Sequence, residues 1–466
     1  MIPVSREALA TALSAQVLGG QDGPAFTRFF TDTRAPVDGG LFFALKGERF
    51  DAHLHLESAI SAGASGLVIS STEHLPDSVP AECMVAVVDD TREALGALGH
   101  HVRGRLNGPV VSITGSVGKT TVKDMCAAAL SAFGEVGRSP GNWNNEIGVP
   151  LSLLSLTGQE SSVVLELGMS APGEIAHLTR IAAPSVGVVT SAVAAHLEFF
   201  DSVDGIADAK AELLEELPSS SRAVVCADDA RILERGRRFR PQDLLTYGLA
   251  EDADVRVTSV KQDERGLDVT VALEGEQVQV RVPTLGRHNA VNAAGALAIV
   301  HALGHPVAEA AESLSANFRP SAHRLEVHQT ATGLVILDDC YNANPTSTRA
   351  ALETLGEVAR TAPALGAVIG SMLELGPSAE LLHHEIGEDA ARVGLQWLGT
   401  TGPHADAVAQ GARGAGMNQV YTAADAMDLL GPIKAFADNG RWLLLKGSRG
   451  QRLERLLAPL GAGGMA

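Results

Sequence analysis

Residues 110–125, VVSITGSVGKTTVKDM, place a lysine and two threonines directly after a short glycine-containing turn. The apolar run VVSIT predicts a buried strand, and a helix is expected to begin near Thr120. Glycines allow a tight turn whose backbone amides converge on an anion at a helix N-terminus. A lysine there can contact terminal phosphates, and a threonine hydroxyl can ligate Mg²⁺. The segment therefore predicts a phosphate-binding loop formed by Gly115, Ser116, Gly118, Lys119, Thr120 and Thr121.

The spacing of this loop differs from that of the usual P-loop, which has four residues between its first glycine and the Gly-Lys pair. Here only Ser116 and Val117 lie between Gly115 and Gly118. The alternative interpretation is a strand-to-helix turn that carries a solvated lysine. The chain has no Asn-Lys-x-Asp motif, which disfavours a GTPase. The pattern therefore predicts phosphate binding without assigning the chain to the ordinary P-loop ATPases.

Three more residues of the same region could take part in phosphate chemistry. Glu166 ends the apolar run SSVVLE, and ligands of open α/β sheets bind beyond the carboxyl ends of the strands. A carboxylate there is an oxygen ligand of the type that Mg²⁺ requires, although a strand-end glutamate can also be a capping or solvated residue. Taken alone, His196 is expected to be a structural or surface histidine, and Lys210 a solvated helix lysine.

Composition limits the class of protein. A chain of 466 residues with 45% hydrophobic and 20% charged residues fits a globular protein of about three domains. The net charge of −19 disfavours general binding to nucleic acids or anionic membranes. The four cysteines are far apart and form no CxxC pair, which indicates a reducing compartment without disulfides or a zinc site. Neither a secretory signal nor a run of about 18 apolar residues is present, so we expect a cytoplasmic protein.

Apolar runs that alternate with helical patterns predict an α/β fold with a central parallel sheet covered on both faces. Period-2 alternation over residues 254–283 predicts an antiparallel insert in that region. The tripeptide NGP at 107–109 and a polar stretch near 318 mark expected boundaries. We predict a small N-terminal domain (1–106), a central P-loop-type domain (107–318) and a C-terminal Rossmann-like domain (319–466).

Several motifs, taken together and in order, resemble the Mur ligase family of peptidoglycan synthesis. They are TGSVGKTT, NWNNEIGVPLSLL, LELGMSAPGEI, AAHLEFF, GRHNAVNAAGA, DDCYNANPTS and KGSRG. Within that family, ALKGERFDAH, DDCYNANP and HHEIG are nearest to the members that join D-alanyl-D-alanine to UDP-N-acetylmuramoyl-tripeptide. The resemblance runs from TDTRAP to KGSRG and covers nearly the whole chain.

This resemblance implies an ATP-dependent ligase that forms an amide bond through an acyl phosphate, giving UDP-N-acetylmuramoyl-pentapeptide, ADP and phosphate. The N-terminal domain would bind the UDP sugar and the central domain ATP with two Mg²⁺ ions. The C-terminal domain would close over the site, and we expect this closure to occur about linkers near 106 and 318. No interface stripe is evident in the sequence, so a monomer is expected.

The resemblance also implies roles for individual residues. The catalytic candidates are Lys119, His196 and Lys210, and Lys210 stands where such ligases carry a carbamylated lysine. Candidates for the metal-binding set are Thr120, Glu166, His196 and Lys210. Beyond the glycine loop, the nucleotide-binding candidates are Asn289, Asn292, Arg324 and Asp339. The substrate-binding candidates are Asp32, Thr33, Arg34, Lys46, Asn144, Asn145, Asn342, Asn344, Lys446, Ser448 and Arg449.

The chain departs from the family pattern at three positions. His323 stands before Arg324 where glycine is common, Ser371 stands where aspartate is expected, and Trp143 is bulkier than expected. A ligase that adds a single amino acid, a folylpolyglutamate synthase and a catalytically silent nucleotide-binding scaffold are the alternatives. TDTR and LKGERFDAH disfavour the folate enzyme, and DDCYNANP favours addition of a dipeptide. The third residue of the tripeptide, and the base that deprotonates the incoming amine, are not specified by the sequence.

Overall fold

The structure is a computed structural model that describes residues 1–34, 37–47, 49–194, 198, 200, 202–438 and 440–462. Over these residues the chain is a mixed α/β protein whose strands form three sheets, as the sequence predicts. The chain also divides into two compact units. The first unit comprises Met1–Thr114, Phe133–Val188 and Glu212–Ala223, and the second comprises Gly115–Ala132, Val189–Ala211 and Val224–Ala466.

The N-terminal region folds around a five-stranded sheet. Its strands are β1 (Gln16–Gly19), β2 (Phe29–Phe30), β3 (Gly40–Phe43), β4 (Ala64–Ile69) and β5 (Met84–Val87), and its helices are α1 (Arg6–Leu13), α2 (Leu56–Ser61) and α3 (Thr91–Arg103). The order is β1-β5-β4-β3-β2, with only the β1–β5 pair antiparallel among the described strands. Successive side chains of β3 point to opposite faces, so Leu41 and Phe43 enter one apolar core and Phe42 enters the other.

The central region contains a nine-stranded sheet. Its strands are β6 (Val110–Thr114), β7 (Val136–Arg138), β8 (Ser162–Glu166), β9 (Val186–Val189), β10 (Arg222–Cys226), β11 (Leu244–Gly248), β12 (Val255–Asp263), β13 (Gly266–Leu273) and β14 (Glu276–Val282). The order is β14-β13-β12-β11-β10-β9-β6-β8-β7. Every residue of β6, β8 and β9 is buried, as expected of parallel strands covered on both faces.

Seven helices of the described chain belong to this central region. They are α4 (Lys119–Leu130), α5 (Gly148–Leu154), α6 (Glu174–Ala182), α7 (Val203–Glu215), α8 (Ala230–Phe239), α9 (His288–Ala302) and α10 (Val307–Asn317). The predicted antiparallel insert is confirmed, because β12, β13 and β14 pair successively in antiparallel register. Among the described residues, no helix combines the length and apolar character needed to cross a membrane.

The C-terminal region has a six-stranded sheet. Its strands are β15 (Glu326–Gln329), β16 (Val335–Asp339), β17 (Leu365–Gly370), β18 (Trp397–Thr401), β19 (Gln419–Ala423) and β20 (Trp442–Lys446), and its helices are α11 (Pro345–Val358), α12 (Ala379–Val393), α13 (Ala405–Gly414) and α14 (Leu430–Phe436). The order is β15-β16-β20-β17-β18-β19. Only β15, at the edge, is antiparallel to its described neighbour. Apolar clusters cover both faces of this sheet.

Helices α12 and α13 approach each other at backbone distance. A Cβ atom placed on Gly387 would lie 2.0 Å from the carbonyl oxygen of Val408, and one on Gly411 would lie 2.0 Å from that of His384. Because both obstacles are backbone atoms, neither can move aside as a side chain would. The two glycines therefore set the distance between these helices.

We expect Gly387→Ala to destabilise the C-terminal region by about 1–3 kcal/mol, because an added methyl group must push two packed helices apart. Gly414→Ala is the matched control, since a Cβ there would meet nothing within 4 Å. Thermal and urea unfolding of the two variants measure the difference. Equal unfolding midpoints for both variants would contradict the close-packing argument.

Candidate active site

The glycine loop connects the end of β6 to the start of α4, as the sequence predicts. Gly115 and Gly118 both have positive φ, of 149° and 87°, a region that residues with a Cβ rarely adopt. Space is also limited, because a Cβ on Gly115 would lie 1.9 Å from the Thr190 side-chain oxygen. A Cβ on Gly118 would lie 2.8 Å from Asn292 Oδ1. Both loop glycines are therefore required by conformation and by packing.

The segment that follows β9 holds the loop in place. The Ser116 amide donates to the Ser191 carbonyl at 2.9 Å, and the Val117 amide donates to the Ser191 hydroxyl at 3.1 Å. The Thr190 hydroxyl donates to the Val117 carbonyl at 2.6 Å. The Ser116 hydroxyl donates to the Val193 carbonyl and accepts from the Val193 amide, both at 3.1 Å. The loop backbone is consequently fixed by neighbours that lie some 75 residues further along the chain.

Lys119 is the first residue of α4, directly after its N-cap Gly118. Its ammonium group donates to the Gly115 carbonyl at 2.7 Å, so the side chain lies back across the loop. The N-terminal end of a helix carries partial positive charge and backbone donors. A helix N-terminus, a glycine turn and a lysine ammonium together form a local cationic site in a protein whose net charge is negative. The alternative interpretation as a turn with a solvated lysine is not supported by this arrangement.

Lys210 of α7 is buried, with only 2% of its surface exposed, so its interpretation as a solvated helix lysine is wrong. Desolvation, followed by repulsion from the Lys119 ammonium, holds the pKa of Lys210 well below its usual value. A low pKa favours the neutral amine, which is the nucleophilic form of lysine. Burial and the Lys119 charge thus shift Lys210 toward its neutral form relative to an exposed lysine.

Glu166 is the last residue of β8, and only 3% of its surface is exposed. Its register partner on β6 is Ile113, near the end of the strand that leads into the glycine loop. The Asn144 side-chain amide donates to Glu166 Oε1 at 2.9 Å, and the Glu166 amide donates to the Ser139 hydroxyl at 3.1 Å. The sequence suggested Asn144 as a substrate-binding residue, and in the structure it fixes the orientation of this carboxylate.

Arg324 contacts the first turn of α4. One terminal nitrogen of its guanidinium donates to the Thr120 hydroxyl at 3.0 Å. The guanidinium also stacks over the Tyr341 ring at 4.3 Å from its centroid, a cation–π contact that holds the planar group flat. The Nε atom of Arg324 is buried without a hydrogen-bond partner among the described residues. The guanidinium thus brings its positive charge to the first turn of α4 through the donor bonded to Thr120.

Asp339 and Lys446 form an ion pair at the carboxyl ends of the neighbouring parallel strands β16 and β20. The Lys446 ammonium, 3% exposed, donates to Asp339 Oδ2 at 2.6 Å and to the Asn342 carbonyl at 2.9 Å. The other oxygen of Asp339 accepts from the Leu325 amide at 3.2 Å. Through these hydrogen bonds, the ion pair links Leu325, the residue after Arg324, to the segment DDCYNAN.

Asn289 and Asn292 lie one turn apart on α9. Asn289 donates to the Leu285 carbonyl at 2.7 Å, and its oxygen accepts from Asn292 at 2.8 Å. Both polar atoms of the Asn289 side chain are thus already engaged. Of the two, Asn292 lies against the loop at Gly118, and Asn289 supports it.

Several predicted substrate residues have structural contacts. Asn145 accepts from the Gly148 amide at 2.9 Å near the start of α5, and Asn344 forms a capping box with Ser347 at the start of α11. The Ser448 hydroxyl accepts from the Leu373 amide at 3.0 Å. Arg449 lies 5.9 Å from the centroid of the Tyr341 ring. The contacts of Asn344, Ser448 and Arg449 fix the loops that follow β16 and β20, in the C-terminal region.

The N-terminal candidates are surface residues in two small groups. Arg34 and Asp32 are joined by hydrogen bonds, including Nε to Oδ1 at 2.9 Å, and the Arg34 guanidinium lowers the pKa of Asp32 to about 2. Thr33 lies between them in the sequence. The Lys46 ammonium is 3.5 Å from the Asp51 carboxylate, and the backbone carbonyl of Lys46 accepts a hydrogen bond from Arg92 at 2.7 Å. Both groups present charge at the surface.

The remaining predictions have different outcomes. His196 lies outside the described residues. Ser371 is 1% exposed, and its hydroxyl accepts from the His404 amide at 2.9 Å, so this departure from aspartate sits in a neutral hydrogen-bonded position. The Trp143 side chain, by contrast, is exposed.

Sequence reasoning did not identify Thr190, Ser191 or Tyr341 as parts of the site. Thr190 and Ser191 follow a buried strand in the run SVGVVTS, the position at which α/β sheets place ligand-binding residues. That signal was available. Tyr341 is surrounded by motif residues in DDCYNANP, but only the fold shows that its ring supports an arginine.

Two family models match the chain. The Mur ligase middle domain matches residues 113–300, and the glutamate ligase domain of the Mur ligases matches residues 323–449. The first match contains the glycine loop, Glu166 and Lys210. The second contains Arg324, Asp339 and Lys446.

Relatives and solved structures match over nearly the full length. A UDP-N-acetylmuramoyl-tripeptide–D-alanyl-D-alanine ligase of Bacillus subtilis is 35% identical over 92% of both chains, and the Escherichia coli ligase of that name is 34% identical over 99% of both. A crystal structure of MurF from Acinetobacter baumannii superposes with a TM-score of 0.89 at 30% identity, covering 99% of both chains. The chain therefore belongs to the Mur ligase family, and it is an ATP-dependent ligase. Within that family, relatives matched at 30% identity or more over nearly the full length include the UDP-N-acetylmuramoyl-tripeptide–D-alanyl-D-alanine ligases, which the solved structure names MurF.

Two other structures share the fold at lower identity. MurF ligase of Thermotoga maritima in complex with ADP has a TM-score of 0.82 at 28% identity, covering 93% of this chain and 97% of that one. A folylpolyglutamate synthase of Mycobacterium tuberculosis has a TM-score of 0.63 at 19% identity, covering 80% of this chain. The latter shows a common fold alone, so the folate alternative is not favoured.

We expect Gly115→Ala to weaken ADP binding by about tenfold or more. The added methyl group would displace the loop from Thr190, and its strained φ would cost about 1–3 kcal/mol, where 1.4 kcal/mol corresponds to a factor of ten. Gly104→Ala is the control, because a Cβ there meets its nearest atom at an ordinary 3.5 Å. Calorimetric titration with ADP measures both variants. Unchanged affinity in Gly115→Ala would show that the loop does not bind the nucleotide.

Proposed function

We propose that this chain joins D-alanyl-D-alanine to UDP-N-acetylmuramoyl-tripeptide, forming UDP-N-acetylmuramoyl-pentapeptide with ADP and phosphate as by-products. The observation that carries the proposal is end-to-end identity of 34% with a ligase of that name, over 99% of both chains. This match includes the N-terminal region, which lies outside the two family models. A ligase that adds diaminopimelate is similar at only 17% identity with a TM-score of 0.55, which supports a common fold alone.

The proposed reaction has two steps. The terminal carboxylate of the tripeptide attacks the γ-phosphorus of ATP, and ADP leaves as an acyl phosphate forms. The free amine of the dipeptide then attacks the acyl carbon, loses a proton and expels inorganic phosphate. Activation is necessary because an ionised carboxylate is a poor acyl donor. The protein must therefore stabilise charge on the transferred phosphoryl group and then hold the amine in position.

Lys119 and the amides of its loop are proposed to bind the phosphates of ATP. Support comes from the pair of glycines with positive φ, from the helix N-terminus and from the ammonium group over the loop. Arg324 is proposed to add positive charge beside the loop, since its guanidinium donates to Thr120 and is held flat against Tyr341. Asn292, supported by Asn289, contributes to the nucleotide site beside Gly118.

Thr120, Glu166, His196 and carbamylated Lys210 are the proposed ligands of Mg²⁺. The donor chemistry fits, because a hydroxyl and a buried carboxylate are hard oxygen ligands of the type that Mg²⁺ prefers. Bound Mg²⁺ supplies charge neutralisation to the phosphates during transfer. Asn144 would keep the Glu166 carboxylate oriented for this role, and Ser139 holds the Glu166 backbone amide.

Carbamylation of Lys210 is supported by its environment. A neutral amine is the form that adds to carbon dioxide, and both burial and the Lys119 charge favour that form. The product carries a negative charge and two oxygens, whereas a protonated Lys210 would repel a metal ion. We therefore propose that Lys210 acts as an anionic group in the working enzyme.

The substrates are proposed to bind at opposite ends of the sequence. Asp32, Thr33, Arg34 and Lys46 are proposed for the UDP sugar, and Asn342, Asn344, Lys446, Ser448 and Arg449 for the dipeptide. Asn145 is retained with Asn144 in the central region. Three domains bounded near 106 and 318, a cytoplasmic location and a monomeric state complete the proposal.

The first expected outcome is release of phosphate that depends on the dipeptide. With ATP, Mg²⁺ and UDP-N-acetylmuramoyl-tripeptide, adding D-alanyl-D-alanine should start continuous release and yield a UDP-pentapeptide detectable by mass spectrometry. D-Alanine alone, diaminopimelate and folates with glutamate serve as competing acceptors or substrates. If a single amino acid supports turnover and the dipeptide does not, the dipeptide assignment is wrong.

The second expected outcome concerns the Lys210 carbamate. Protein equilibrated with ¹³C-bicarbonate should show a carbamate carbonyl signal by NMR, and Lys210→Met should lack it while losing ligase activity by at least about a hundredfold. Lys261→Met, an exposed lysine on β12, is the control variant and should keep both. A wild-type protein that is active in turnover but shows no carbamate signal would contradict the modification.

A further inference from the structure

Arg324 is flanked on both sides by residues in the left-handed region of backbone space. His323 has φ of 62° and Leu325 has φ of 53°. Residues with a Cβ adopt this conformation only at a cost in free energy, and they persist there when surrounding contacts over-determine the backbone. Two such residues within three positions indicate that the orientation of Arg324 is imposed by its neighbours.

Hydrogen bonds to three different residues hold the His323 conformation. Its imidazole Nδ1 donates to Asp338 Oδ2 at 2.6 Å, and its amide donates to Glu326 Oε2 at 3.1 Å. Its carbonyl accepts from the Tyr341 amide at 3.2 Å. The side chain, the amide and the carbonyl of one residue are thus all engaged.

The acceptor of the imidazole is itself rigid. Asp338 is completely buried on β16, and it pairs in register with Glu326 on β15. Its second oxygen accepts from the Cys340 amide at 3.2 Å. The ring of His328 brings Nε2 to 3.6 Å from Asp338 Oδ2 and to 3.8 Å from Glu326 Oε2, too far for hydrogen bonds. Of these two imidazoles, only that of His323 is bonded to Asp338.

The far end of this arrangement is the glycine loop. Arg324 donates to the Thr120 hydroxyl and stacks on Tyr341, whose amide is bonded to His323. Ser321, two residues before His323, donates to Asp124 on the same helix as Thr120 at 2.5 Å. Thr120 and Asp124 are four residues apart and lie on one face of α4. Residues 321–324 therefore follow that face, with His323 anchored between the two contacts.

We propose that His323 is a positioning residue whose bond to buried Asp338 holds the left-handed turn that directs Arg324 onto the phosphate-binding loop. A glycine at position 323 would adopt this left-handed conformation without strain. In this proposal the hydrogen bond of the His323 imidazole offsets the strain that the histidine backbone carries. The role of His323 is exerted through Arg324 alone, so the inference rests on the proposed participation of Arg324 in nucleotide binding.

Substitutions of His323 test the proposal by their order. His323→Asn should behave like the wild type, because asparagine tolerates the left-handed region and its Nδ2 can take the place of the imidazole Nδ1. His323→Ala should raise KM for ATP and lower kcat, by about 10- to 100-fold in kcat/KM, since a displacement of about 1 Å can cost that much. His323→Gly, with an unstrained but unanchored turn, should fall between them.

A double-mutant cycle with Arg324→Ala gives the second test, with ADP affinity and kcat as readouts. If His323 acts only through Arg324, the double variant should match Arg324→Ala alone, because the two effects are then not additive. His301→Gln is the control, a histidine of α9 that is paired only loosely with Glu274 at 3.7 Å. Thermal unfolding of every variant distinguishes loss of positioning from loss of the fold.

The possible results separate the inference from the proposal on which it rests. An inactive or weakly binding Arg324→Ala beside a normal His323→Ala would overturn the positioning role and leave the nucleotide site intact. Additive effects, or an asparagine variant as poor as the alanine variant, would also overturn it. A normal Arg324→Ala would instead remove the proposed role of Arg324, and the positioning role with it.

Discussion

The contact between the glycine loop and the segment after β9 is the constraint on which the proposed nucleotide site depends. Gly115 leaves no space for a side chain against Thr190, and the Thr190 hydroxyl holds the Val117 carbonyl at 2.6 Å. A loop of this length has few backbone bonds of its own. Its shape is therefore set by Thr190, Ser191 and Val193, and the direction in which α4 starts follows from that shape.

Three charged residues among the site candidates are each fixed by a specific neighbour. Glu166 is oriented by Asn144, Lys446 by Asp339, and Arg324 by Tyr341 and Thr120. A buried charge without such partners is costly, so these contacts stabilise the charged side chains where they lie. Lys210 differs from these residues, because its burial and the nearby Lys119 charge lower its pKa and favour loss of its charge.

Much of the fold could be predicted from the sequence because its strongest signals are local. Fully apolar runs such as VVSIT and SVVLE became buried parallel strands, and the alternating run 254–283 became the antiparallel insert. The strand, glycine turn and helix were predicted in the correct order, and the helix begins at Lys119, one residue before the start expected near Thr120. The burial of Lys210 could not be predicted from the sequence. A lysine in an amphipathic helix gives no local sign of whether its ammonium group is desolvated.

The sequence by itself determined the order of elements, the strand–glycine-turn–helix form of the loop and the family, because these depend on residue type, spacing and periodicity. Tertiary structure alone decided which polar groups meet. Asn144 orients a carboxylate, Asn289 supports Asn292, and Asp338 anchors His323. These contacts join residues on different elements or depend on which way a helix face turns. Their geometry arises only when strands and helices pack, and no local pattern in the chain encodes it.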